Sequence, residues 1–318
     1  MNFQTNIHEL IRQQKSEWKL AGTNYNALAK IEKRSFNFDD FQIIAQFNPE
    51  RIRSTGARTD HSAISQRPCF LCKKNRPDEQ VGINFRGHYE ILINPFPIFD
   101  QHLTIPGYDH EPQQLSGRLA DMLDLAEELT DFTLFYNGPK CGASAPDHFH
   151  FQAGQRKKMP IELEMARQAV KADVLIDRPS IRILAIGNSY LRKVIFFQSK
   201  SKAELSATVE QVIKLMESES PAEEPMMNVL ANFEAGSWQV LLFPREKQRP
   251  RQYFLTDENQ ILMSPASVEM GGLVVLPRAE DFAKLSNEDL SDIYRQVTLN
   301  DTAFETLRNK IRHQFGRQ

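Results

Sequence analysis

The stretch Tyr136-Asn137-Gly138-Pro139-Lys140-Cys141-Gly142-Ala143-Ser144-Ala145-Pro146-Asp147-His148-Phe149-His150-Phe151-Gln152 concentrates the chemistry of this chain. Its last five residues alternate polar and aromatic. On a strand, successive side chains point to opposite faces, so His148, His150 and Gln152 share one face and Phe149 and Phe151 the other. The aromatic pair can enter a core while the three polar groups line a site. Same-face neighbours stand about 6–7 Å apart, far enough for His148 and His150 to have separate jobs. The preceding loop opens on Asn137 and offers Gly138 and Gly142, which let backbone N–H groups approach a phosphate. Lys140 adds a charge and Ser144 a hydroxyl donor. A bare His-x-His is more often a pair of core or surface residues. The ordered string Asn-Gly, Gly-Ala-Ser, His-Phe-His-Phe-Gln is what marks a site.

Working outward, Tyr89 to Ile93 and His102 to Ile105 read as strands around the turn-like Asn94-Pro95-Phe96-Pro97. Asn94 in that turn is a candidate substrate contact. A helix is expected from about Gln113, with Leu115, Leu119, Met122, Leu123, Ala126 and Leu129 as its apolar stripe. Thr133 to Tyr136 reads as a strand. Residues 2–33 carry helical spacing, with Ile7, Leu10, Ile11, Trp18 and Leu20 as buried positions. Arg51 to Arg67 reads as a long polar loop, and Pro221 to Pro225 as a surface loop.

The second half repeats this grammar without repeating the sequence. Tyr190 to Gln198, Trp238 to Phe243 and Gly272 to Leu276 are strand-like. Lys202 to Met216 is helix-like. Phe282 to Phe304 is expected to be helical, with Leu285, Leu290, Ile293, Tyr294 and Val297 facing inward. Antiparallel strands mixed with helices make the fold class α+β rather than a doubly wound parallel sheet. The expected divisions are residues 1–60, an N-terminal extension of helix and strand, 61–170, a catalytic half, and 171–318, a second half.

The 318 residues carry a net charge of −2, with 25% charged and 41% apolar residues, which excludes a largely disordered chain. The balanced charge argues against nucleic acid as partner. No apolar run reaches the roughly 20 residues needed to span a bilayer, so no membrane is expected. Met1 to Asn6 shows no basic region leading into an apolar core, so no signal peptide is expected. Three cysteines make no disulfide framework, and a cytoplasmic location is expected.

The signature resembles that of the transferase branch of the histidine-triad superfamily. That branch contains galactose-1-phosphate uridylyltransferase, diadenosine tetraphosphate phosphorylase and the GDP-hexose phosphorylases. Their His-x-His-x-Gln follows an Asn-Gly loop and a Gly-x-Ser turn. The resemblance implies histidine-triad-like antiparallel sheets with flanking helices in two related halves. It implies that His150 is the nucleophile and that Gln152 holds a non-bridging oxygen of the transferred group. The hydrolases of the superfamily carry a third His where this chain has Gln152, which points to nucleotidyl transfer. The segment His102 to His110 looks like the strand and turn before the long helix in these proteins. Met227 to Leu230, Trp238 to Arg245 and Met270 to Leu276 are similar to later parts of the diadenosine tetraphosphate phosphorylases. The basic cluster Arg245, Lys247, Arg249 and Arg251 reads mostly as a solvated loop. Arg245 is the exception and is assigned to substrate, because its Pro-Arg context matches that resemblance.

Cys69-Phe70-Leu71-Cys72 is a Cys-x-x-Cys pair, open to reading as a zinc half-site, a redox pair or coincidence. A redox site wants a thioredoxin-like strand and helix, which Arg67-Pro68 and Lys73-Lys74 do not supply. In some galactose-1-phosphate uridylyltransferases such a pair binds metal with two histidines. The matching positions are Cys69, Cys72, His110 and His148, with His102 as a rival third imidazole whose strand position suits a substrate-facing or core role better. The resemblance therefore implies a structural zinc.

A neutral imidazole suits attack on an anionic phosphorus ester, and an ordinary histidine pKa of about 6.5 supplies it at cellular pH. The expected partners are a dinucleoside polyphosphate or nucleotide sugar, with inorganic phosphate or a sugar phosphate as acceptor. A non-catalytic nucleotide-binding protein with a structural zinc is the alternative.

Overall fold

Ten strands run antiparallel in one sheet of the computed structural model, in the order β3-β4-β5-β7-β6-β11-β12-β10-β9-β8. The structure describes residues 2–52, 64, 66–187, 190–216, 220 and 223–316. The first five strands are β3 (Gly82–Phe85), β4 (Tyr89–Ile93), β5 (His102–Pro106), β6 (Phe132–Asn137) and β7 (His150–Gln155). The other five are β8 (Asp173–Asp177), β9 (Ile181–Ile186), β10 (Val194–Ser199), β11 (Met227–Glu234) and β12 (Ser237–Pro244). Outward from the β6–β11 junction, the two halves have the same strand order. Each places a helix after its third strand: α3 (Leu119–Glu128) follows β5 and α5 (Lys202–Leu215) follows β10. This is the α+β, two-halved architecture expected.

One face of the sheet packs under α3, α5, α1 (Phe3–Glu17), α2 (Lys19–Ala27) and the C-terminal α10 (Asp301–Phe315). Phe149 and Phe151 are fully buried there with Tyr89 and Tyr136. The opposite face is covered by a second, three-stranded sheet. Its strands are β1 (Glu32–Asn37), β2 (Gln42–Phe47) and β13 (Leu273–Leu276), with β13 parallel to β2. The helices α4 (Pro160–Lys171), α6 (Arg251–Phe254), α7 (Ser267–Met270), α8 (Ala279–Lys284) and α9 (Asn287–Val297) complete the chain.

A row of paired residues crosses the large sheet on this second face. It runs Thr104, Gln152, Phe135, Leu230, Leu241, Phe196, Leu184. By symmetry Leu241 stands where the first half has Gln152, and Phe196 where it has Thr104. The second half keeps the row and fills it with core, so the polar site belongs to the first half.

Several boundaries differ from the sequence reading. The helix expected from Gln113 starts at Leu119, because the Gln113 amide is bound to Asn137 and His150 and the Leu115 N–H to Glu224. Leu20 is 43% exposed rather than buried, since the chain bends at Trp18 between α1 and α2. The single helix expected over Phe282 to Phe304 is broken. Ser286 caps α9 and Asn300 caps α10, each accepting an N–H in place of a continuing helix. The strand expected from Tyr190 starts at Val194. Of the two expected loops, 53–63, 65, 221 and 222 lie outside the described residues. Glu224 turns inward instead of standing on the surface. Its carboxylate accepts from Leu115 N–H at 2.6 Å and Tyr136 O–H at 2.5 Å, and burial pushes its pKa up to about 7. Among the described residues, no helix is long and apolar enough to cross a membrane.

Candidate active site

The strand carrying the signature begins at His150, and His148 lies in the turn before it, with its N–H bonded to the Ala145 carbonyl. The turn frees His148 from the alternation expected of it. His150 and Gln152 face a pocket of about 570 Å³ between the large sheet and the C-terminal segments, and His148 turns away toward the cysteines.

His150 is held at three atoms. Its backbone N–H donates to Gln113 Oε1 at 2.8 Å, and its carbonyl accepts from Gln113 Nε2 at 3.0 Å. Its Nδ1 lies 2.9 Å from the His148 carbonyl. A carbonyl can only accept, so Nδ1 carries the hydrogen and Nε2 keeps its lone pair. Burial pushes the imidazole pKa down to about 4, which keeps the ring neutral.

Gln152 is oriented by His102. The Ile98 N–H donates to His102 Nδ1 at 3.2 Å, so the ring hydrogen sits on Nε2, 3.0 Å from Gln152 Oε1. Asn94 Nδ2 approaches the same oxygen at 3.5 Å and donates to Thr104 Oγ1 at 3.0 Å. With Oε1 engaged, the NH₂ end of Gln152 is the donor turned to the pocket. Burial, reinforced by the Arg51 charge, lowers the pKa of His102 to about 3, so the ring stays neutral.

The structure brings Asn94, Asn137, Gly142, Ser144, His150 and Gln152 to one pocket. It does not bring Gly138, Lys140 or Arg245 to its wall. Gly138 is pressed against β11, where an added Cβ would lie 2.8 Å from the Met227 carbonyl. Lys140 pairs with Glu223 at 2.7 Å on the surface. Arg245 is buried and donates to Asn228 Oδ1 and to the carbonyls of Val297, Pro265, Lys247 and Gln248. Those five contacts use all five guanidinium N–H groups. Of the basic cluster, Arg249 is the residue that lines the pocket. Cys141 is fully buried and its thiol is pushed up to about 11 by burial.

Cys69, Cys72, His110 and His148 converge, with ligand atoms all within 4.8 Å of one another. His148 Nε2 donates to the Gly107 carbonyl at 2.9 Å, which frees Nδ1 to face Cys69 Sγ at 3.4 Å and Cys72 Sγ at 3.5 Å. His110 presents Nδ1 to Cys72 Sγ at 3.2 Å while its Nε2 faces Asp147 at 3.6 Å. A zinc tetrahedron with arms of about 2.3 Å to sulfur and 2.1 Å to nitrogen has S···N edges of about 3.6 Å. The observed edges are close to that, so the four residues fit a metal such as zinc. Burial opposes the Cys69 thiolate, but His148 and the N–H groups of Leu71 and Cys72 outweigh it and bring the pKa down to about 6. His102, committed to Ile98 and Gln152, is not part of this cluster.

Against solved structures, the yeast Ap4A phosphorylase Apa2 in complex with Ap4A aligns with a TM-score of 0.59. The alignment has 16% identity and covers 89% of this chain and 97% of that one. The chain has a histidine-triad-like fold. The same yeast enzyme in complex with AMP aligns at 0.55, again at 16% identity, over 91% and 97% of the two chains. An ADP-glucose phosphorylase from Arabidopsis thaliana with bound ADP-glucose aligns more loosely, at 0.39 and 14% identity, over 85% and 99%. Residues 10–155 match a domain of unknown function, DUF4922, and residues 165–318 match the family described as GDPGP1-like, C-terminal domain. No curated protein matches the sequence.

On this histidine-triad-like fold, the pocket also uses residues that sequence reasoning passed over. Arg51, Arg67, Phe70, Phe96 and Arg249 line it. Burial lowers the pKa of Arg51 to about 10, and its Nη1 donates to the Phe96 carbonyl at 2.8 Å. No local pattern marks these residues. The one hint was position, since Arg67 and Phe70 belong to the segment around the first cysteine.

Proposed function

We propose that this protein is a nucleotidyltransferase of the phosphorylase type, acting through a covalent histidine intermediate. The observation that carries the reading is the pairing of a His150 Nε2 lone pair with the outward NH₂ of Gln152 in one pocket. The His150 Nε2 attacks the α-phosphorus of a dinucleoside polyphosphate or nucleotide sugar. A P–N bond forms, the P–O bond to the phosphate-bearing leaving group breaks, and that oxygen keeps the electron pair. An oxygen of inorganic phosphate or a sugar phosphate then attacks the same phosphorus. The P–N pair returns to Nε2, and the ring is neutral again. The Gln152 amide, the Ser144 hydroxyl and the loop of Gly142 supply donors for the equatorial oxygens. The fold shared with an Ap4A phosphorylase supports the nucleotide class of substrate.

Cys69, Cys72, His110 and His148 would hold a zinc. Four protein ligands leave no open position, so its chemistry is structural, a tie between the cysteine loop and the approach to His150. None of the three cysteines is in a disulfide, which suits a cytoplasmic home.

The test is covalent labelling by α-labelled ATP, GTP and Ap4A. Wild-type protein should take up an acid-labile, alkali-stable label, and His150→Ala should take up none while keeping its thermal transition. Label that persists in His150→Ala, or wild-type protein that labels with no nucleotide of a wider panel, sinks the reading.

A further inference from the structure

Arg67 stands two residues before Cys69, where the chain enters the cysteine loop. Its Nη2 donates to the Ser144 carbonyl at 3.1 Å and faces Asp147 Oδ1 at 3.3 Å. Its guanidinium lies over the Phe70 ring, 4.9 Å from the centroid. Three neighbours thus hold the group in place. Asp147 shares its charge, because its other oxygen faces His110. The Arg67 side chain is 25% exposed and lines the pocket that contains His150, Gln152 and Ser144, and among the described residues its buried Nη1 has no acceptor. A buried donor on a charged group without an acceptor is costly, and such cost is accepted where a ligand supplies the acceptor.

We propose that Arg67 is a phosphate-binding residue, its guanidinium donating to a phosphate oxygen of the nucleotide that reacts at His150. The inference rests on the reading of the pocket as a nucleotidyl-transfer site. Two features favour phosphate over a carbonyl of the base. Arg67 is tied to Ser144, on the glycine loop beside the reacting centre. Its apolar side is already covered by Phe70, so its edge is what remains for the ligand, and a guanidinium edge matches phosphate oxygens.

The experiment compares AMP, GMP and UMP with the matching nucleosides by calorimetry. Wild type, Arg67→Gln, Arg67→Lys and Arg67→Ala are measured as full-length protein, with metal content and thermal transition recorded for each. In Arg67→Gln the best-bound nucleotide should lose at least about tenfold in affinity, the size of one charge-assisted hydrogen bond, while its nucleoside binds as before. Free guanidinium ion should restore part of the loss in Arg67→Ala. If Arg67→Gln fails to fold, Arg67→Lys carries the test, with a smaller loss confined to the nucleotide. Nucleotide and nucleoside falling together would mean a base contact or a structural role, and nucleotide binding unchanged would mean no contact. Either overturns the proposal. Wild-type protein that labels at His150 separates these outcomes from failure of the transfer reading. Wild type that neither binds nor labels overturns both.

Discussion

Gln152 can hold a phosphoryl oxygen only with its NH₂ end toward the pocket, and His102 decides that orientation. Replacing His102 with Leu removes the Nε2–H that pins Oε1, so the amide is free to turn. The expected result is a fall of roughly 10²-fold in kcat, the cost of losing one aligned oxyanion donor, with KM little changed. Equal losses in kcat and KM, or none, would falsify the orienting role. The same histidine gives a pH signature. Its folded pKa of about 3 lies below the ordinary value of about 6.5. As pH falls through that window the unfolded chain takes up a proton that the folded chain refuses, so stability drops on acidification. The limit is about 1.4 kcal/mol per pH unit for one group. Urea titrations at pH 7 and pH 5 should show a shallower loss for His102→Gln than for wild type. A core or substrate-facing place for His102 was legible from its strand position, but its hold on Gln152 was not, since its partners lie at Ile98 and Gln152.

At the scale of elements, the cysteine loop and the approach to the signature strand meet at four residues that could hold a metal, spread along the chain from residue 69 to residue 148. Cys72→Ser should lose its metal by elemental analysis. A loss of roughly 2–3 kcal/mol would lower Tm by roughly 3–5 °C in a chain of this size. Labelling per folded molecule should change much less than Tm, because no ligand faces the reacting centre. Retention of full metal in that variant would remove Cys72 from the set. The spacing of Cys69 and Cys72 was readable in the sequence. The inward turn of His148 was not, because it depends on the chain leaving strand geometry before His150. The late start of α3 has a similar cause: Gln113 lies in a helix-like pattern, but tertiary bonds to β6 and β7 outweigh the local preference.

Across the whole molecule, two halves of one design meet at β6 and β11, and Arg245 anchors the seam. Its five donors reach Asn228 on β11, Val297 on α9 and three loop carbonyls. Asn228 in turn donates to Asn137 Oδ1 at 3.0 Å and the Cys141 carbonyl at 2.8 Å, so the anchor reaches the glycine loop. Arg245→Lys should cost about 2–4 kcal/mol in chemical denaturation, because an ammonium cannot meet five acceptors. Nucleotide affinity measured on folded protein should hold. If affinity falls by tenfold while stability holds, Arg245 is a substrate residue after all.

The alternation at residues 148–152 and the order of strands and helices are local patterns. They were sufficient for the α+β class, for the resemblance that carries His150 and Gln152, and for two halves of similar grammar. Periodicity reports which side of an element is apolar, and it reports nothing about which distant element covers that side. Only the tertiary structure decided that Arg67 and Arg249 reach the pocket and that Arg245, the arginine the resemblance singled out, does not. It also decided that Leu241 and Phe196 fill the place of Gln152 and Thr104 in the second half, because that choice depends on strand register across the β6–β11 junction. Site chemistry here is set by partners dozens of residues apart, and such pairings exist only once the sheet has closed.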